Sequence, residues 1–161
     1  MNNLLIIGAG QYGLLTKEIA ESMNKFDNIS FLDDNNSIAI GKINDYKKYI
    51  GKYKYAVIAI GNSNIRYDLF EKIKENFTIT TIVSPYSYVS NSSIIEDGCI
   101  IEPGAIIHAN TKIGCSTFIC ANAIVNHNAE VGKFCHINCG AIIKSNSNIQ
   151  DFTKIDYGII I

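Results

Sequence analysis

Two hydrophobic periods divide the chain. Over residues 1–83, short apolar runs alternate with segments of helical spacing. "NLLIIGAG" reads as a strand running into a glycine turn, and "YGLLTKEIAESM" carries Leu14, Ile19 and Met23 on one helical face. "NISFLDD" predicts a second strand, "DYKKYI" a short helix and "KYAVIAIGN" a buried third strand. "SNIRYDLFEKIKENF" predicts a helix begun at Ser63 or Asn64, and "TITTIV" a closing strand. This β-α-β-α-β order implies a small parallel sheet whose ligand crevice lies at the carboxyl ends of its strands.

Beyond Val83 the helical period vanishes. Steps of six from Val89 meet Ile95, Ile101, Ile107, Ile113, Ile119, Val125, Val131, Ile137, Ile143, Ile149, Ile155 and Ile161 without a miss. Four residues after most of them stands a small side chain, among them Cys99, Ala105, Thr111, Ala123, Cys135 and Ala141. Neither a helix nor a hairpin sheet has such a period; a parallel β-helix built of hexapeptide repeats does. Each hexad would form one side of a triangular coil, with the aliphatic residue inside the prism, and three hexads to a turn give about four coils. The expected organisation is a first domain at 1–83 and a coil at 84–161.

Composition narrows the function classes. Of 161 residues 47% are hydrophobic, enough for a sizeable core. A net charge of -1 offers no basic surface for nucleic acid. The N-terminus has no leader pattern and no apolar run reaches the length of a membrane span, which leads us to expect a cytoplasmic protein. The cysteines Cys99, Cys115, Cys120, Cys135 and Cys139 contain no CxxC pair. They read as small packed thiols rather than a disulfide framework or a metal site, even with His136 beside Cys135, so no metal is expected.

"GAGQYG" matches GxGxxG between a strand and a helix, with Asp33 twenty residues beyond Gly13. Glycines there permit a tight turn and let backbone N–H groups approach a phosphate. The sheet is about half the size of a dinucleotide-binding domain. A ligand with one nucleoside and a diphosphate, such as a nucleotide sugar, therefore fits better than a nicotinamide cofactor.

"IIGAGQYG", "FLDD", "AVIAIGNSNIR" and "NHNAEVGKFCH", in this order and spacing, resemble the bacterial nucleotide-sugar N-acetyltransferases of the bacillosamine pathway, relatives of the sialic-acid O-acetyltransferases. The resemblance implies a Rossmann-like first domain followed by a left-handed β-helix, assembled as a homotrimer with active sites between subunits. It implies transfer of acetyl from acetyl-CoA to a UDP-linked 4-amino-4,6-dideoxy sugar, a UDP-amino-sugar, in surface-glycan biosynthesis. Residue by residue, it puts Gln11, Tyr12 and Gly13 in the substrate turn, Asp33 and Asp34 at the uracil, and Gly61 and Asn62 after the third strand. Arg66 stands where it could help a phosphate or merely cap the surface of its helix. His127 matches the general base, and His136 and Tyr157 match contacts to acetyl-CoA. Imidazole, with a reference pKa of about 6.5, can take the proton of a sugar ammonium, so direct attack on the thioester needs no acyl-enzyme.

Two departures bear on activity. The close family members carry a glutamate directly after the base, where this chain has Asn128, an amide that can hold the ring but lends it no charge. The sequence also stops on "DYGIII", where those members continue for further coils. The expectations for that end are a shortened form of a longer protein, a short paralogue, or a coil capped by a partner. The alternatives carried forward are an O-acetyltransferase acting on a sugar or sialic acid, and a non-catalytic trimeric module that binds a nucleotide sugar.

Overall fold

The computed structural model describes all 161 residues. The first domain is a four-stranded sheet of β1 (Leu4–Ile7), β2 (Ile29–Leu32), β3 (Tyr55–Ile58) and β4 (Thr78–Ile79), in the order β2-β1-β3-β4. All its pairings are parallel. Every residue of β1 is buried, because layers cover both faces of the sheet. Leu4 and Ile6 join the cluster with Ile19 and Ala20 of α1 (Gln11–Ser22). Leu5 and Ile7 face the other way, toward Tyr46 of a 3-10 helix (Ile43–Tyr49) and Ile73 of α2 (Ser63–Ile73).

The expected closing strand "TITTIV" divides. Its first half is β4, whereas Ile82–Val83 leaves the sheet and pairs with Ile100–Ile101 of the coil. Sequence could not show that split, because both halves are apolar and β-branched.

The coil is a left-handed β-helix with three faces. The first face holds Ile82–Val83, Ile100–Ile101, Phe118–Ile119, His136–Ile137 and Lys154–Ile155. The second runs from Tyr88–Val89 to Ile142–Ile143, and the third from Ile94–Ile95 to Asn148–Ile149. Strand partners lie one coil apart, as in Phe118↔His136 and Ile124↔Ile142. The hexad aliphatics and the small residues four places on form one continuous buried core, including Ile101, Ile119, Ile137, Cys99, Ala123 and Ala141. Every sixth residue from Gly98 to Gly158 takes a positive φ, which turns the chain at each corner. Gly and Asn fill most of these corners because they adopt the left-handed conformation at least cost.

What surrounds each face differs. The outward residues Ile82, Ile100 and Phe118 of the first face pack into the α1 layer of the first domain. At the next vertex Tyr67 and Phe70 of α2 meet Phe134 edge to face, and Phe134 stacks on Phe152 at 5.3 Å. The third face is polar, with Lys112 and Glu130 paired at 2.7 Å. The second face presents the outward row Tyr88, Ile106, Ile124 and Ile142, continued by Ile160 through its bridge to Ile142. Of these, Tyr88 and Ile160 are exposed and the rest half-buried. No helix is long and apolar enough to cross a membrane.

Candidate functional site

The glycine turn is built for close approach. Gly8 has φ +103°, and a Cβ on Gly13 would stand 2.1 Å from the Gly8 carbonyl oxygen, so α1 seats against the turn only without a side chain there. Gly10 and Gly61 have no such constraint: both have ordinary φ, and a Cβ at either would meet nothing within 4 Å. They lie just past the carboxyl ends of β1 and β3, at positions where packing does not demand glycine.

Asp33 organises this rim. Its carboxylate accepts from the N–H of Ala9 at 2.8 Å, Asn35 at 2.8 Å and Asn36 at 2.9 Å. The Ala9 hydrogen bond above all holds its pKa below the ordinary carboxylate value. Asn36, which sequence reading missed, donates back to the Ala9 carbonyl at 2.6 Å. Gly10, Asp33, Asn35, Asn36 and Ser37 line an open depression of about 380 Å³. Gln11 and Asp34 are exposed beside it, with Asp34 accepting from the Ile43 N–H at 3.0 Å.

Two residues expected at the substrate have other partners. Asn62 caps α2, its Oδ1 accepting from the N–H groups of Asn64 and Ile65 at 3.0 and 3.1 Å. Arg66, considered for a phosphate, is fully buried. Its guanidinium donates to the carbonyls of Ser116, Ile60, Gly61, Phe134 and Cys135. It also lies 4.0 Å from the Phe118 ring centroid. Burial pushes its pKa down to about 10, which leaves it charged at neutral pH. No donor is left to meet a ligand: the residue pins α2 to the coil.

His127 stands exposed at the vertex between the second and third faces, the one opposite the first domain. Its Nδ1 is 3.1 Å from the amide nitrogen of Asn128, and its Nε2 is 3.0 Å from the hydroxyl of Ser145 in the next coil. Asn128 occupies a left-handed corner with φ 60° and belongs to an amide ladder with Asn110 and Asn146, at 3.3 and 3.4 Å. The ladder and Ser145 were legible only as an 18-residue spacing. His108 sits under Asn126, one place out of register with His127.

The ring chemistry follows from these partners. With the Asn128 amide donating to Nδ1, the neutral imidazole carries its proton on Nε2 and donates to Ser145. With the amide turned over, Nδ1–H donates to Oδ1 and Nε2 becomes a base.

His136 lies on the first face, half-buried, 6.0 Å from the Tyr12 ring centroid and 5.5 Å from that of Phe118. Burial, then the charges of Arg66 and Lys154, push its pKa down to about 4, against a raising contribution from the Gly61 carbonyl. It is thus neutral at physiological pH. Tyr12, Gly61 and His136 come together at the domain junction, whereas His127 and Asn128 lie across the prism. Tyr157 is exposed in the last coil.

Residues 3–73 match the family described as PglD N-terminal domain. Over 99% of its length the chain superposes on the acetyltransferase domain of PglB from Neisseria gonorrhoeae FA1090 in complex with acetyl coenzyme A, with TM-score 0.94, 27% identity and 82% of that chain covered. A histidine variant of perosamine N-acetyltransferase from Caulobacter crescentus, in complex with CoA and GDP-perosamine, matches with TM-score 0.90 and 19% identity over 100% of this chain and 89% of its own. WeeI from Acinetobacter baumannii AYE matches with TM-score 0.69 and 16% identity, covering 99% and 94%.

Proposed function

With residues 3–73 matching the PglD N-terminal domain family and a left-handed hexapeptide coil behind them, we propose that this protein is an acetyl-CoA-dependent N-acetyltransferase acting on a nucleotide-linked amino sugar. UDP and a 4-amino-4,6-dideoxy sugar are the substrate parts we assign. The carrying observation is His127: an exposed imidazole with both nitrogens held, on a corner the coil geometry fixes.

The reaction needs one proton transfer and one acyl transfer. With the Asn128 amide turned over so that Nδ1 keeps the ring proton, His127 Nε2 takes the proton of the sugar ammonium, the freed amine attacks the thioester carbonyl, and the tetrahedral intermediate expels the CoA thiolate, which recovers that proton. Asn128 selects the tautomer, and Ser145 aims the ring. The crevice at Gly10 and Gly61 takes the diphosphate, with Asp33 and Asp34 toward the base and Gln11, Tyr12 and Gly13 along the turn. His136, neutral, serves the acetyl group, and Tyr157 the cofactor.

We propose that more than one chain builds the site. The crevice adjoins the first face and His127 stands at the opposite vertex, so one chain cannot bring them together. In this reading another copy covers the apolar row of the second face, beside which His127 stands, and brings its own crevice to that imidazole. A homotrimer closes this arrangement. Light scattering at micromolar concentration should give a multiple of the chain mass; a monomer there contradicts the composite site.

Gly10→Ala separates ligand approach from packing. The added methyl meets no protein atom, so stability should fall by no more than about 1 kcal/mol. Affinity for UDP should fall at least about 10-fold, because the methyl stands where a phosphate would approach. Calorimetry and thermal unfolding on the same sample check both; equal affinity would remove the turn from the binding site.

Asn128→Glu should retain activity. A carboxylate accepts from Nδ1–H and leaves Nε2 free as the base, while the left-handed corner costs about 1–2 kcal/mol with a residue less tolerant of it. Complete loss of turnover in a correctly folded variant would break the correspondence of His127 with the base.

The deciding experiment is thiol release from acetyl-CoA with a UDP-4-amino-sugar, with GDP-linked sugar and sialic acid as competitors. Turnover with the amine alone supports the reading. Acetylation of a hydroxyl acceptor only, or uridine binding without any turnover, would overturn it.

A further inference from the structure

We infer that the chain carries a binding site for a thiophilic divalent cation such as Zn²⁺ at the vertex between the first and second faces, made by Glu102, Cys120 and Cys139. A carboxylate oxygen and the two sulfurs lie within 4.8 Å of one another. The three donors come from successive coils: Glu102 and Cys120 share a corner position one coil apart, and Cys139 lies one place past the next. The β-helix thus stacks what a short motif would have to supply, which is why a search for CxxC does not find it.

Three features separate this cluster from ordinary packed thiols. Glu102 is 4% exposed, and its carboxylate takes part in no ion pair. Its Oε2 accepts from the Ala121 N–H at 2.9 Å, and no lysine or arginine lies against it. The corresponding acids elsewhere on the coil, Glu96 and Asp151, make the same contact to a backbone N–H but are not buried.

Next, the Tyr12 hydroxyl of α1 is buried with no hydrogen-bond partner. Burial above all, then the neighbouring Cys120 and Glu102, raise its pKa, so the hydroxyl stands beside both donors. An orphaned hydroxyl at the mouth of a donor cluster costs free energy that a bound cation or its water ligand would recover. Finally, the nearest further donor is an imidazole: His136 Nε2 lies 3.4 Å from Cys120 Sγ, a separation suited to neighbouring ligands on one tetrahedral ion.

The donor set selects the metal. Two sulfurs with a carboxylate and a nearby imidazole suit Zn²⁺ and disfavour Mg²⁺ or Ca²⁺, which prefer oxygen alone. Each thiol gives up its proton as its sulfur ligates, so binding releases two protons and weakens in acid. The site sits where α1 meets the coil, and metal binding would therefore clamp the first domain to the first face.

The test is a Co²⁺ titration of the metal-stripped full chain under reducing conditions. Expected are a thiolate-to-cobalt charge-transfer band, visible absorption of tetrahedral intensity saturating at one ion per chain, displacement by Zn²⁺, and a higher melting temperature with Zn²⁺. Cys120→Ser and Cys139→Ser should each lose the charge-transfer intensity, and Cys115→Ser should keep it. Circular dichroism establishes that each variant is folded. Absence of a thiolate band in the wild-type chain overturns the site without recourse to any variant. So does a band that survives Cys120→Ser/Cys139→Ser, or a peptide map in which air-purified protein retains no metal and joins Cys120 to Cys139.

Discussion

His127→Ala should lower kcat/KM about 10²- to 10⁴-fold, the range that general-base catalysis supplies. Uridine nucleotide affinity and melting temperature should stay close to the parent's. The separation is expected because the imidazole is exposed and forms no part of the hydrophobic core of the coil. Its partners also keep other contacts: Asn128 stays bonded to Asn110 and Asn146 when the ring is gone. The substitution thus removes a proton acceptor and leaves the corner standing. Thiol-release kinetics beside UDP calorimetry would measure both sides. A loss under about 5-fold would mean that the amine arrives already deprotonated or that another group takes the proton. Ser145→Ala should lie between the two enzymes, since Ser145 aims the ring without receiving the proton.

The repeat was readable because its physics is local. A six-residue step from Val89 to Ile161 requires only that one side chain per hexad point inward, and the buried row confirms it without exception from Ile101 to Ile155. The left-handed corners were half-legible, as Asn and Gly mark most of them, but Phe134 and Phe152 occupy two against propensity. Their stacked rings meet Tyr67 of α2, so tertiary contact overrides the local preference. What depends on three dimensions was not readable. The role of Arg66 is set by carbonyls fifty to sixty-nine residues away. Its sequence neighbours, a helix cap and a polar surface, gave no sign of burial. The Glu102 cluster escaped for the same reason, because donors one coil apart look unrelated along the chain.

Arg66→Met should destabilise the folded chain by about 3–5 kcal/mol, the scale for removing one member of a buried charged network. Three of the five carbonyls it serves, those of Ser116, Phe134 and Cys135, belong to the coil. The other two, Ile60 and Gly61, belong to the loop between β3 and α2. A methionine fills the volume over Phe118 but offers no donor; the Cys135 carbonyl keeps the Phe118 N–H, while acceptors such as the Ser116 and Phe134 carbonyls lose their partner at about 1–3 kcal/mol each before relaxation. For a chain of this size 1 kcal/mol corresponds to about 2–4 °C, so the melting temperature should fall by roughly 10 °C. Arg66→Lys should recover little, because one ammonium with three donors cannot span carbonyls that a planar fork reaches on both sides. Nucleotide affinity, measured well below the transition, distinguishes the two roles the residue was given. A phosphate ligand would show as a collapse of UDP binding at unchanged stability, whereas a pin shows as lost stability with binding largely kept in the fraction that remains folded. A melting temperature within about 2 °C of the parent's would refute the pin. It would mean that the aromatic contacts of Tyr67 and Phe70 with Phe134 hold α2 to the coil unaided.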